Sequence, residues 1–463
     1  MRIELIPSAK RLIRSLRDIG YEFVDAVADI VDNSVEAHAT VIAITIKFEG
    51  EDSYLTIADN GIGMSSKSIQ EALRFGSNRA YDDADDLGRY GLGLKTASLS
   101  QCERLTVSAR RGEERARINS YCWDLDHIER TNRWEVLKIE SDELKDEAWR
   151  HLHETTGTVV TWERLGRLLG YRYPSGESAR KQAEQMAGSL KQHLGMVFHR
   201  FLSGEIHGKR IAIYINDERV IPWDPYSRGE KHTQKLEQIL IPLDFDESIY
   251  SVRVQPYILP PQSLYSSTKT HLQASGPGRW NKQQGLYIYR SNRIIQAGGW
   301  SGLRTSDEHT KLVRIALFIP SQLDELFQVN VAKKHLTLPR ELRALLIAEI
   351  QPIIQRAQEV YRDKLVDGLV AGGQQPSEPN LPEPKSLKVT LSVADFLATN
   401  HANGRKDSDS ENVDCLVKKA VRKAGFTSEE KQFKALMAEI FHKADEKEKR
   451  TLVRLLKKFV RSD

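Results

Sequence analysis

Between residues 24 and 59 the apolar positions of the chain change period. VDAVADIVDNSVEA repeats them at helical spacing, whereas VIAITIKF and YLTIAD are runs rich in β-branched residues that read as strands. A helix followed at once by two strands has to bury its stripe on the sheet those strands begin. GTVVTW, at residues 157–162, adds another strand. Residues 1–175 therefore read as one α/β sandwich domain.

The pattern then repeats in a second form. SARKQAEQMAGSLKQHLGMVFHRFL reads as a helix, and IAIYINDERVIPW, LYIYRSNRIIQ and VRIALFIP read as strands. PRELRALLIAEIQPIIQRAQEVYRDKLVDGLV closes this part as a long helix, so a second α/β domain is expected over 176–370. AGGQQPSEPNLPEPK has the composition of a linker, placed at 371–390. The remaining 391–463 is expected to be a small basic helical region: Glu411 to Asp463 holds 14 Lys or Arg against 9 Asp or Glu, a local +5 where the whole chain carries only +4.

Composition narrows the function classes. With 40% apolar and 29% charged residues the chain is of ordinary globular make-up, and 463 residues allow two to four domains. No run approaches the ~18 apolar residues of a membrane span. The opening MRIELIPSAKRLIRSL lacks the apolar core of a secretory signal, so a soluble cytoplasmic protein without membrane partners is expected. Cys102, Cys122 and Cys415 are far apart and form no CxxC pair, which argues against a disulfide framework or a structural zinc site.

Three separated segments carry chemistry. In DIVDNSVEA, Asp29 and Asn33 are four apart and share a helix face. The Asn33 amide oxygen suits a hard cation such as Mg2+, and Asp29 could orient or deprotonate a water beside it. In YLTIADNGIGM a strand runs into Asp59, Asn60, Gly61, Ile62, Gly63 and Met64. The Asp59 carboxylate can accept from an exocyclic amine, and glycines leave room for a flat base, although Asn-Gly alone is also a plain turn signal. In LGRYGLGLKTASLS, Gly88, Gly91 and Gly93 precede a helix-compatible stretch, an arrangement that offers backbone N–H groups to phosphates. It is not a Walker loop, because GxxxxGK[ST] is missing.

Taken in order, D-x-x-x-N on a helix, DNGIGM, GRYGLGLK and Gly157-Thr158 resemble the four nucleotide-binding motifs of the GHKL ATPases, the superfamily of gyrase, the heat-shock chaperone, histidine kinases and MutL. The resemblance implies a GHKL (Bergerat) sandwich that binds ATP and Mg2+. Asn33 then ligates the metal and Asp59 binds the adenine amino group, with Gly61, Gly63, Met64 and Thr158 around the base. Gly88, Arg89, Tyr90, Gly91, Leu92, Gly93 and Leu94 cradle phosphate, followed by Lys95 and Thr96. Residues from about Phe75 to Leu87 become a mobile ATP lid lacking apolar anchors. Members that hydrolyse ATP usually have Glu where this chain has Asp29. A carboxylate about an ångström further from the water slows hydrolysis, since misplacement on that scale can cost roughly 100-fold.

FQVNVAKKHLTLPRELR resembles the transducer domain of MutL and of MORC-type ATPases, whose loop lysine senses the γ-phosphate; Lys333 is the first choice and Lys334 the second. Arg290 and Arg293 lie in a strand pair like the transducer's Arg-rich one, serving either structure or a partner. The function implied is a Mg-dependent ATPase acting as a clamp that homodimerises on ATP. Its expected work is DNA manipulation, repair or restriction of foreign DNA, with DNA held through Lys418, Lys419, Arg422 and Lys423, and with a nuclease or helicase as partner protein. A chaperone-like ATPase and a nucleotide-gated binding module with negligible hydrolysis are the alternatives.

Overall fold

The computed structural model describes residues 7–18, 20–76, 93–112, 117–170, 173–328 and 336–371, with side chains of the last helix described to Arg362. Two sheets organise them. The first holds β1 (Val41–Lys47), β2 (Tyr54–Asp59), β3 (Arg104–Arg110), β4 (Asn119–Asp124), β5 (Leu137–Lys138), β6 (Gly157–Glu163), β7 (Ala212–Ile215) and β8 (Glu218–Arg219), in the order β5-β4-β3-β6-β2-β1-β7-β8. The β1–β7 pair is parallel, while β1–β2 and β2–β6 are antiparallel. The last of these sets Asp59 opposite Thr158.

Its helices are α1 (Ala9–Arg17), α2 (Phe23–Glu36), α3 (Ser66–Leu73), α4 (Gly93–Gln101), α5 (Leu125–Thr131), α6 (Asp146–Glu154), α7 (Glu177–Val197) and α8 (His199–Ser203). Ile30 and Val31 of α2 and Leu190 and Leu194 of α7 share one core with Ile42, Ile44, Leu55, Ile57 and Val160. The alternate residues Ala58 and Val159 face the other way, against Ala148 and Leu152 of α6. Every residue of β2 is therefore buried, as a strand covered on both faces must be.

The first sheet does not stop at residue 175. Ala183, Met186, Leu190 and Leu194 of α7 belong to its core, and β7 extends it beside β1. The shift to a long charged helix at SARKQ reads as a new domain, but an apolar stripe at that spacing is what a helix lying on a sheet requires.

The second sheet holds β9 (Gln234–Lys235), β10 (Ile239–Phe245), β11 (Ser248–Ile258), β12 (Gly285–Arg290), β13 (Arg293–Ala297) and β14 (Val313–Ile319), ordered β10-β11-β14-β12-β13 with β9 on β11. Helices α9 (Thr268–Ala274), α10 (Arg279–Gln283) and α11 (Arg340–Ala371) accompany it. Along β12, Leu286 and Ile288 face Leu342, Leu346 and Ile350 of α11, whereas Tyr287 and Tyr289 face the opposite side. There the Tyr289 hydroxyl meets Tyr226 at 2.7 Å and Nε2 of His199 at 2.8 Å. Burial pushes the His199 imidazole down to about 4, so it packs as a neutral ring. The tyrosine face thus seats the second sheet on α8, beside the first domain.

These elements fall within one compact unit, Met1–Gln374; Gln375–Asp463, including the basic region and its Lys418, Lys419, Arg422 and Lys423, lies outside the described residues. Among the described residues, no helix is long and apolar enough to cross a membrane.

Candidate nucleotide site

Helix α2 is apolar along most of its length, yet Asp29, Asp32 and Ser34 are each no more than 2% exposed. Burying such groups is costly unless they are paired, so their partners define the site. Ser34 donates to Oδ2 of Asp59 at 3.0 Å. Oδ1 of Asp59 accepts from the Gly61 N–H at 2.9 Å and from the Thr158 N–H at 3.2 Å. Burial pushes the Asp59 carboxyl above its ordinary range, and these three donors pull it back. Nε2 of His151, on α6, donates to the Asp59 carbonyl at 2.8 Å. An acidic side chain at a strand tip is thus held by three donors, and His151 fixes the backbone that carries it.

The corner around it is built by close backbone approach. Gly63 has φ +66°, and a Cβ there would lie 2.2 Å from the Arg110 carbonyl oxygen; Gly157 has φ +141°, and a Cβ would lie 1.8 Å from the Asp59 carbonyl oxygen. These glycines are required by the protein's own backbone, whereas the sequence suggested clearance for a base. Asn60 makes no hairpin turn. Its Oδ1 accepts from the N–H groups of Thr40 and Val41 at 2.8 and 2.9 Å, locking the loop to the start of β1. Met64 is half-buried against the core, and Thr158 is buried.

Five residues back along α2, about 7.5 Å at 1.5 Å per residue, lies Asp29. The Tyr21 hydroxyl donates to its Oδ2 at 3.0 Å, which together with burial raises the phenol far above its usual range. Thr96 of α4 also hydrogen-bonds Tyr21. Gly93, the first residue of α4, stands against the same oxygen: a Cβ on it would be 3.7 Å from Asp29 Oδ2. Nη2 of Arg293, from β13, lies 3.5 Å from Asp29 Oδ1, and its Nε lies 3.1 Å from Oδ1 of Asp32. Asn33, by contrast, is exposed.

The sequence-expected residues are only partly assembled here. Asp29, Gly93 and Thr96 come together with Tyr21; Asp59, Gly61, Gly63 and Thr158 form a second group one and a half turns along α2. Leu94 packs against the core. Lys95 turns away: its Nζ donates to the Ala72 carbonyl at 2.8 Å, and burial lowers its amine to about 8. Phe75 corrects the expectation of a lid without apolar anchors, because it packs edge-on against Trp123 and Trp134 at 5.8 and 5.5 Å. Arg290 pairs with Asp324, just beyond the end of β14, Nε lying 2.9 and 2.8 Å from the two carboxylate oxygens. Gly88, Arg89, Tyr90, Gly91, Leu92, Lys333 and Lys334 lie outside the described residues. Tyr21, Asp32, Ser34 and His151 were missed. For Asp32 and Ser34 a signal existed, since both interrupt an otherwise apolar helix beside Asp29 and Asn33.

Residues 21–158 match the family model described as histidine kinase-, DNA gyrase B-, and HSP90-like ATPase, a stretch that begins at Tyr21 and ends at Thr158. The chain carries a GHKL ATPase domain. Curated relatives include the DNA mismatch repair protein MutL of Fervidobacterium nodosum, 30% identical over 122 residues, 26% of this chain and 21% of that protein. Protein MICRORCHIDIA 5 of Arabidopsis thaliana is 27% identical over 140 residues, 27% of this chain and 19% of its own length. The chaperone protein HtpG of Serratia proteamaculans is 24% identical over 246 residues, covering 42% and 38%. The chain thus spans about a fifth of the length of the mismatch-repair and MICRORCHIDIA relatives.

Proposed function

We propose that the GHKL domain binds ATP with Mg2+ and hydrolyses it slowly, and that the chain acts as a nucleotide-gated homodimeric clamp in DNA manipulation or repair. The observation carrying the nucleotide reading is Asp59, a buried carboxylate braced by Ser34, Gly61 and Thr158 at the mouth of a glycine corner. An acceptor so preorganised suits the exocyclic amine of adenine. The donor set also fits the metal: Asn33 offers a neutral oxygen on the exposed side of α2, and the α4 N-terminus at Gly93 offers positive potential to phosphate. Mg2+, when bound, supplies charge that offsets the triphosphate. The chain's own part is to recognise the base through Asp59, to hold phosphate at α4 and at Gly88–Leu92, and to orient an attacking water through Asp29, with Lys333 or Lys334 sensing the terminal phosphate.

DNA as the partner is supported by the mismatch-repair relatives and by the basic 411–463 segment. Contacts from Lys418, Lys419, Arg422 and Lys423 to phosphates are expected to weaken steeply with salt. A second reading, a binding module with negligible turnover, is favoured by one observation: both oxygens of Asp29 are engaged, by Tyr21 and Arg293.

Calorimetry with Mg2+ and a non-hydrolysable ATP analogue tests binding, and steady-state phosphate release by wild type and Asp29→Ala tests turnover. A folded chain that gives no heat refutes the nucleotide reading. Heat without phosphate release above the Asp29→Ala background leaves the binding module. Titration of duplex DNA across salt, with and without residues 386–463, tests the partner; binding that ignores salt removes it.

A further inference from the structure

Arg293, on β13 of the second sheet, makes a direct ion pair with Asp29. It sits opposite Arg290 across the β12–β13 hairpin, whose two turn residues, Ser291 and Asn292, have φ of +45° and +70°. Two-residue turns of that kind fix the hairpin's geometry, so where Arg293 points is set by the backbone. The two arginines would repel each other if left together. Arg290 pairs with Asp324, which follows β14 in the chain, whereas Arg293, 4% exposed, reaches out to α2 and is shared by two carboxylates three residues apart. The sharing is unequal. Its Nε is 3.1 Å from Asp32, while its Nη2 is 3.5 Å from Asp29.

That inequality divides the labour. The guanidinium hydrogen-bonds Asp29, whereas Asp32 holds it by charge alone, as an ion pair without hydrogen-bond geometry; the Asp29 carboxylate, its other oxygen held by Tyr21, follows small movements of the hairpin. The hairpin itself is docked beside α7 and α8: the Arg200 guanidinium donates to Asn292, and His199 meets Tyr289. A shift of the second sheet is therefore delivered to α2 through Arg293.

We propose that Arg293 is a positioning residue for Asp29, anchored by Asp32, through which the second sheet and the nucleotide site report to each other. This rests on the reading that Asp29 faces bound nucleotide. Coupling of this kind is reciprocal: whatever nucleotide does to the hairpin, the hairpin does to nucleotide.

The test uses the full chain as wild type, Arg293→Gln, Arg293→Lys and Asp32→Asn, with Mg2+ and a non-hydrolysable ATP analogue as probe. Amide hydrogen exchange is followed in α2 and in residues 285–297. In wild type the probe is expected to change exchange in both segments; in Arg293→Gln and Asp32→Asn it changes α2 alone. Phosphate release by Arg293→Gln is expected to fall about ten- to a hundred-fold in kcat, the penalty of a misplaced group, while the affinity for the probe stays within about threefold. Arg293→Lys, which keeps the charge, recovers part of that loss and serves if the glutamine variant fails to fold. A hairpin that responds to the probe equally with and without the arginine overturns the proposal. So does a wild-type hairpin that ignores a probe to which α2 responds, and that result leaves nucleotide binding standing. No heat and no response anywhere in folded wild type overturns the nucleotide reading and this inference with it.

Discussion

Asp59→Asn separates recognition from folding more sharply than any other change at this site. Oδ1 of Asp59 accepts two backbone N–H groups and Oδ2 accepts the Ser34 hydroxyl. An amide placed with its oxygen toward Gly61 and Thr158 keeps two of the three bonds. The third is recoverable, because Ser34 Oγ also lies 3.5 Å from the Ile30 carbonyl and can turn its proton there while accepting from the new amide. The fold should lose about 1 kcal/mol or less. The ligand loses far more. A bond from adenine's amine to a carboxylate is worth about 1.5–3 kcal/mol, and leaving two donors face to face in a buried corner costs about 1–3 more. At 1.4 kcal/mol per decade, affinity for the ATP analogue should fall about sixty- to twenty-thousand-fold. Calorimetry at neutral pH measures it, and a thermal melt without nucleotide checks the fold. Guanine presents an acceptor where adenine has its amine, so discrimination against the GTP analogue should shrink in the same variant. A variant with wild-type affinity for the ATP analogue, or one whose melt collapses along with its affinity, refutes the assignment of Asp59.

Gly157→Ala should cost about 2–4 kcal/mol, because its Cβ would overlap the Asp59 carbonyl and strain the backbone at φ +141°; urea unfolding reads the loss, and analogue affinity should fall with it. Lys95→Met should flatten the alkaline limb of stability. Between pH 8 and 10.5 the unfolded chain keeps a proton that the native amine has given up, so wild-type stability rises with pH there, by up to about 3 kcal/mol. Denaturation midpoints across that range check the sign, and a limb unchanged in the variant contradicts it. Asp324→Ala breaks the buried ion pair with Arg290 and should cost about 3–5 kcal/mol, more than replacing both partners with apolar residues; urea titration of the single and double variants compares them.

The motif order was legible because each motif is local: the α2 period, the apolar run of β2 and the β6 strand are written in short stretches of neighbouring residues. What joins them is not local. Arg293 and Asp29 are 264 residues apart, and nothing in either stretch names the other. Strand β11 went unread for a different reason. Pro256 normally argues against an interior strand, but here it falls after β10 has ended at the Ile239–Val254 pair and next to where β9 begins opposite Tyr257. At α7 a change of composition looks like a boundary although the new helix packs in the core of the first sheet. Phe75 shows the same limit at smaller scale: its aromatic partners Trp123 and Trp134 lie about fifty residues on.

The short side chain of Asp29 raises a question that its contacts make sharper. One explanation of the slow turnover proposed for this chain is reach: the carboxylate falls about an ångström short of the water. The other is restraint, with Tyr21 and Arg293 holding both oxygens. Asp29→Glu tells them apart. The added methylene carries the carboxylate about 1.5 Å, and the α4 side of the site leaves space for it, since even a Cβ built on Gly93 would stand 3.7 Å from Oδ2. If reach is limiting, phosphate release should rise, by as much as roughly 100-fold, with the affinity for the analogue unchanged. If restraint governs, a glutamate that both partners still hold gains nothing or loses geometry, so release does not rise, while Tyr21→Phe, which lifts one of the two holds on the native carboxylate, raises it. A glutamate variant slower than wild type would therefore refute the argument from side-chain length and move the control of hydrolysis to the helix that Ser34, Asp29 and Asp32 tie to both sheets.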